Sequence, residues 1–124
     1  MSKYKIIKFT TKRVGQYSED LSILMSQGPL TQNSRPYIGA RDKETGNLIS
    51  CIWIDSLSEI CMITEKSYRN QGVMSLLLEE LVNDIFCGRI KEVTALPTNV
   101  ISKNILKRAG FLQDDSVWFS FSIS

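Results

Sequence analysis

The stretch Tyr68–Leu81, YRNQGVMSLLLEEL, constrains this chain more than any other. A short loop with one glycine runs straight into an apolar-periodic segment. Met74, Leu77, Leu78, Leu81 and Ile85 follow i, i+3, i+4, i+7, i+11 spacing, so the sequence predicts a helix to about Phe86 with one buried stripe. Glu79, Glu80, Asn83 and Asp84 lie off that stripe. Gly88 follows, where a helix C-terminus wants a left-handed residue. The other end carries more information. Backbone N–H groups from Arg69 to Ser75 have no intrahelical partner, and the helix dipole adds partial positive charge there. Such an end takes phosphate, with Arg69 adding a full charge. Gly72 lets a pyrophosphate approach the main chain with no side chain between them. The segment has neither the G-x-G-x-x-G of dinucleotide folds nor the G-x-x-x-x-G-K-[ST] of P-loops. Taken alone, an ordinary structural loop–helix junction is the commoner explanation.

Length and charge narrow the function classes. At 124 residues the chain is expected to form one domain, residues 1–124. With 43% hydrophobic and 23% charged residues it reads as globular rather than disordered. A net charge of +2, with no block of like charges, gives no electrostatic case for nucleic acid or a membrane surface. The start, MSKYKIIKFTTKR, is too mixed for a signal peptide or a membrane span, so a cytoplasmic protein is expected. Three cysteines without metal-ligand spacing fit reduced thiols, and no metal site is expected. Cys51 and Cys61 flank a short turn and are expected as buried cross-strand neighbours. Histidine is absent, which removes Ser-His and Cys-His nucleophiles and the usual zinc ligand sets. Any proton transfer must use carboxylates, hydroxyls, water or backbone.

Strand and turn signals order the rest. Lys3–Thr10 predicts a strand. Thr10 or Thr11 can cap a helix carrying Val14, Tyr17, Leu21, Leu24 and Met25 to about Ser26. Gly28–Pro36 is turn chemistry. Tyr37–Arg41, Leu48–Ile54 and Glu59–Thr64 read as an antiparallel meander joined by Asp42–Asn47 and Asp55–Leu57. Leu48–Ile54 is almost wholly apolar, so both of its faces should be buried. Glu92–Leu96 is a strand, Asn99–Gly110 a helix, and Phe111–Gln113 with Val117–Ile123 a closing hairpin. A right-handed crossover would make the Glu59 and Glu92 strands parallel neighbours.

Two blocks carry a resemblance. RNQGVM resembles the acyl-CoA signature [R/Q]-x-x-G-x-[G/A] of the GCN5-related N-acetyltransferases (GNAT), through Arg69 and Gly72, with Met74 at the last small position. NVISKNILKRAGF resembles that family's second conserved helix, roughly N-x-x-[A/S]-x-x-[L/I]-Y-x-[K/R]-x-G-F. Asn99, Ser102, Ile105, Arg108, Gly110 and Phe111 fit, and Leu106 stands where the family usually has Tyr. The two blocks in this order, at this distance, imply an α/β fold of acyl-CoA N-acyltransferase type. Its mixed, mostly antiparallel sheet would have about seven strands, flanked by about three helices.

The resemblance also implies a chemistry. Acetyl-CoA would be the acyl donor and a primary amine, of a small molecule or a protein, the acceptor. Backbone groups of Met62, Ile63 and Thr64 would pair with the pantetheine arm. The pyrophosphate would lie on N–H groups of Asn70, Gln71, Gly72, Val73, Met74 and Ser75 beside Arg69, with Asn99 and Ser102 near the thioester. Glu59 is the candidate base, with Glu65 second; a solvated carboxylate is the plainer reading of each. Ser102 or a water would replace the missing Tyr as proton donor. Leu106 and the lack of a clear base leave open a catalytically weak or inactive acyl-CoA-binding or protein-interaction module. Monomer and homodimer both remain open.

Overall fold

Continuous and alternating apolar runs become strands of one seven-stranded sheet, ordered β1-β2-β3-β4-β5-β7-β6. The computed structural model of the chain describes residues 3–9, Leu24 and 34–123. In chain order these form β1 (Tyr4–Lys8), β2 (Arg35–Asp42), β3 (Leu48–Ile54), β4 (Glu59–Thr64), a 3-10 turn (Lys66–Tyr68), α1 (Val73–Phe86), β5 (Glu92–Ala95), α2 (Val100–Arg108), β6 (Leu112–Gln113) and β7 (Phe119–Ser122). The described residues thus hold two α-helices rather than about three. The helix expected from Thr10 to Ser26 lies outside them, apart from Leu24. No helix among the described residues is long and apolar enough to cross a membrane.

β2 to β4 form the expected antiparallel meander, and β1 pairs antiparallel with β2 at the sheet's edge. All seven residues of β3 are buried. Alternation explains why: Ile52 and Ile54 join the main core with α1, while Cys51 and Trp53 join a second cluster with Ile7, Phe9, Leu24 and Ile63. β2 starts at Arg35, two residues before the expected start, and takes in Pro36. The proline is tolerated because the β1 pairing ends at Ile38, and the β2–β3 register shifts between Pro36 and Ile38.

The α1 stripe packs as the spacing predicts, with Met74, Leu77, Leu78, Leu81 and Ile85 all buried. The helix ends at Gly88 (φ 80°). There Arg89 N–H donates to Asp84 O (2.9 Å) and Gly88 N–H to Ile85 O (3.0 Å), which closes the last turn on a left-handed residue.

Asp84, although off the apolar stripe, is only 3% exposed. It borders the stripe beside Ile85, and three donors reach it. Tyr37 Oη donates to Oδ2 (2.5 Å). Lys8 Nζ (2.9 Å) and Arg89 Nη1 (3.3 Å) donate to Oδ1. Burial pushes the carboxyl pKa up, but these bonds and charges outweigh it and hold the pKa below the ordinary value. The sign follows: a lowered pKa gives stability that is present above the unfolded value of about 3.9 and lost as pH falls through the folded value. Asp84→Ala would leave the Tyr37 hydroxyl and Lys8 without their partner. It is expected to cost about 2 kcal/mol, below the usual cost of breaking a buried pair because Lys8 is 41% exposed. The loss should shrink towards zero below about pH 4, read as thermal melts across pH; a loss that does not vary with pH would contradict this account.

Candidate functional site

β4 and β5 run parallel and pair over two residues only, Glu59 with Thr94 and Ile60 with Ala95. Beyond Ile60 the strands part. Thr94 N–H donates to Ser58 O (2.9 Å), so strand alternation turns the backbone groups of Ile60, Met62 and Thr64 towards β5. The Ile63 carbonyl instead accepts from Ser50 Oγ (3.1 Å), on the β3 side. Thr64 O is taken by Arg69 Nε (3.0 Å). Of the three residues expected along this edge, Met62 therefore has the backbone that best meets an amide-bearing ligand in the opening.

The loop beyond β4 brings the start of α1 to the same opening. Glu65 caps the 3-10 turn by accepting from Ser67 N–H (3.0 Å). Asn70 (φ 64°) and Gly72 (φ 80°) are both left-handed. Gly72 is the N-cap of α1 and supplies no side-chain cap, and the first turn of α1 carries no acidic residue. The N–H groups of Val73, Met74 and Ser75 are thus left to a ligand. A Cβ at residue 72 would meet nothing within 4 Å, so its conformation, rather than crowding inside the protein, is what calls for glycine. This end fits a diphosphate.

α2 forms the far wall. Asn99 is its N-cap, with Oδ1 accepting from Ser102 N–H (2.8 Å). The resulting pocket, about 360 Å³, is lined by β4, the loop and the α2 N-terminus. Of the residues singled out in the sequence, it gathers Met62, Ile63, Thr64, Arg69, Asn70, Gly72, Val73, Met74, Ser75, Asn99 and Ser102. Gln71 is not among the lining residues; its amide bonds Tyr4 and the Ser67 carbonyl instead. Met74 does not crowd the site, because its side chain is buried with the α1 stripe, as its spacing predicts. The sequence reading missed Thr98, Ile101 and Ile105. The signal was there for two of them: Ile101 and Ile105 are one helical turn apart, and Ile101 stays 56% exposed.

Residues 6–111 match the model of the Acetyltransferase (GNAT) family. The chain belongs to the GNAT family. Solved structures agree at the level of the fold. A ribosomal-protein-S5-alanine acetyltransferase from Vibrio fischeri superposes with a TM-score of 0.70 at 10% identity, covering 98% of this chain and 94% of that one. The ribosomal-protein-S18-alanine N-acetyltransferase of Escherichia coli gives 0.63 at 13% identity, with 98% and 94% covered. A spermidine N-acetyltransferase chimera from Vibrio cholerae and hSSAT gives 0.57 at 12% identity, with 91% and 82% covered. A search of curated proteins finds no match.

Within this GNAT fold, Glu59, Cys51, Cys61 and Leu106 sit away from the pocket. Glu59 lies at the closed end of the split, paired with Thr94, and does not line the pocket. Its alternation partners Cys61 and Ile63 belong to the second cluster, so Glu59 lies on the sheet face opposite Ile60 and Met62. Burial, and then the Asp55 carboxylate, raise its pKa above the ordinary glutamate range. Cys61 is half-buried on the same face, its thiol pKa raised by burial and by Glu59. Cys51 and Cys61 are free thiols set diagonally rather than opposite, since Cys51 faces Ile63 and Trp53 faces Cys61. Leu106 is fully buried in the main core.

Proposed function

We propose that this chain is an N-acetyltransferase that moves an acetyl group from acetyl-CoA to a primary amine by direct attack within a ternary complex. The observation that carries the reading is the parted β4–β5 edge opening onto the uncapped start of α1. Acetyl-CoA, when bound, supplies an acyl group already activated as a thioester. The N–H groups of Val73, Met74 and Ser75, with Asn70, Gln71, Gly72 and Arg69, hold its diphosphate. The Met62 backbone, with the Thr64 N–H, holds the pantetheine amides along the strand edge, the Ile63 backbone being turned to β3 instead, and Asn99 lies at the far wall. Positioning of this kind can supply about 7–11 kcal/mol of the barrier. A backbone N–H of the Met62–Ile63 segment faces the charge that develops on the carbonyl oxygen.

The acceptor amine must lose a proton, since an unperturbed lysine amine has a pKa of about 10.4. Glu59 is the proposed proton acceptor, reached only through water because its carboxylate lies outside the pocket. Burial and the Asp55 carboxylate raise its pKa, the direction that makes a carboxylate a stronger base. The Ser102 hydroxyl, half-buried in the pocket wall, relays a proton from water to the leaving thiolate, the part that the resemblance gives to a Tyr. With Glu59 as base, the rate should fall as pH drops through its raised pKa, because the base must be ionised. Glu59→Gln is expected to remove that limb of the pH profile and slow turnover by about a hundredfold or more. A turnover within twofold of the parent would remove Glu59 from the mechanism.

The acceptor class is the amine of a protein or a small molecule. The neighbouring folds named for ribosomal-protein alanines and for spermidine span both. Release of free thiol across a panel of amines and peptides tests the whole proposal. Leu106 in the core and Glu59 outside the pocket favour one alternative, an acyl-CoA-binding or protein-interaction module with weak or no catalysis. Calorimetric binding of coenzyme A with no thiol release for any amine would select it.

A further inference from the structure

Besides the local Glu65 cap on Ser67, four side-chain hydrogen bonds hold the loop before α1 in place, and one differs from the rest. Tyr4 Oη donates to Gln71 Oε1 (3.0 Å), Gln71 Nε2 to Ser67 O (3.2 Å) and Arg69 Nε to Thr64 O (3.0 Å). These acceptors are neutral, and two of the three bonds stay within the β4–α1 connection. The fourth is charge-assisted: Tyr68 Oη donates to Asp42 Oδ2 (2.6 Å), across 26 residues of sequence.

Asp42 is a fixed anchor. It ends β2 at 9% exposure, and its Oδ1 accepts from Glu44 N–H (2.8 Å) and Thr45 N–H (3.4 Å). Its own N–H donates to Asn47 O (2.9 Å). Both carboxylate oxygens are thus committed, one to the β2–β3 turn and one to Tyr68. Tyr68 is itself a wall of the pocket, and its ring packs on the main core.

The loop that follows needs such an anchor. Asn70 is left-handed although it carries a side chain, and Gly72 is left-handed two residues on. A sparsely populated backbone persists only where its surroundings over-determine it. Left-handed residues of this kind build the concave runs of N–H groups that anions occupy. We infer that the Asp42–Tyr68 hydrogen bond is a latch that sets the shape of the diphosphate-binding loop, which makes both residues positioning residues for the acyl donor. The inference rests on the donor reading given above. The charge states agree with it. The Tyr68 bond, then the turn amides, lower the Asp42 pKa, and the same bond raises that of Tyr68, so near neutrality the pair stays carboxylate and phenol.

Calorimetric titration with coenzyme A tests the latch on the parent chain, Tyr68→Phe, Asp42→Ala, Asp42→Asn and the Tyr68→Phe/Asp42→Ala double variant. Tyr68→Phe keeps the ring in the core and loses only the bond; it should bind coenzyme A about tenfold more weakly. Asp42→Ala should lose a similar factor. Asp42→Asn, which keeps a carbonyl acceptor, should recover part of it. The double variant should be no weaker than the weaker single one, because both remove the same bond. In the thiol-release assay the loss should fall on the KM for acetyl-CoA, leaving the KM for the acceptor unchanged. Unchanged affinity in Tyr68→Phe overturns the latch, as do single losses that multiply in the double variant. A parent chain that binds no coenzyme A overturns the donor reading and the latch with it. Should Asp42→Ala fail to fold, Tyr68→Phe and Asp42→Asn still decide the matter.

Discussion

A Gly72→Val chain is expected to stay folded and to bind coenzyme A about a hundredfold more weakly, a loss of about 3 kcal/mol. Residue 72 sits at φ 80°. An L-residue there costs about 1–2 kcal/mol, and a branched Cβ is the worst case. A Cβ at this place meets no other atom within 4 Å, so the folded chain has the room and the stability loss stays near that backbone cost. The donor suffers twice. The loop relaxes towards negative φ, which turns the first N–H groups of α1 away from a common point. The isopropyl group then fills the space in front of them, where the diphosphate must sit. Gly72→Ala should fall between the parent and the valine variant. Thermal melts beside calorimetry separate the two effects. Parent-like affinity in Gly72→Val would mean that no nucleotide rests on this helix start.

The residues around Gly72 were readable because they are local. A capless loop, a glycine and a 3.6-residue stripe lie within one stretch, and the structure folds them as one unit. β3 and β4 likewise appear at the expected residues, Leu48–Ile54 and Glu59–Thr64, since turn residues bound each run on both sides. What the sequence did not announce are contacts between distant elements. Nothing local marks Asp84 as buried, because the partners that bury it, Lys8 and Tyr37, are 76 and 47 residues away. The Tyr68–Asp42 bond is hidden for the same reason. β2 ran past its turn-like start because a bulge absorbed Pro36. Glu59 is a different case, since the signal was present. On β4, residues 59, 61 and 63 share one face and 60, 62 and 64 the other, so a base at 59 and a pocket wall at 62 lie across the sheet.

Restoring the family's tyrosine should harm this chain rather than help it. Leu106 is 0% exposed, inside the main core, and its carbonyl accepts from Phe111 N–H (3.0 Å) where the chain leaves α2. Leu106→Tyr adds a ring's volume to a filled site and buries a hydroxyl facing apolar neighbours. Overpacking costs about 1–3 kcal/mol and an unbonded buried hydroxyl about as much again. A loss of about 3 kcal/mol is expected, read as a melting temperature lower by about 10 °C. No gain in thiol release should accompany it, because residue 106 points into the core and not into the pocket. Residue 105 lies about 100° further round the helix and does line the pocket. Ile105→Tyr therefore puts a phenol beside the proposed thioester at smaller cost, and it is the variant expected to raise turnover if protonation of the leaving thiolate limits the rate. A Leu106→Tyr chain that melts with the parent and releases thiol faster would show that α2 can turn residue 106 towards the ligand, against the packing described here.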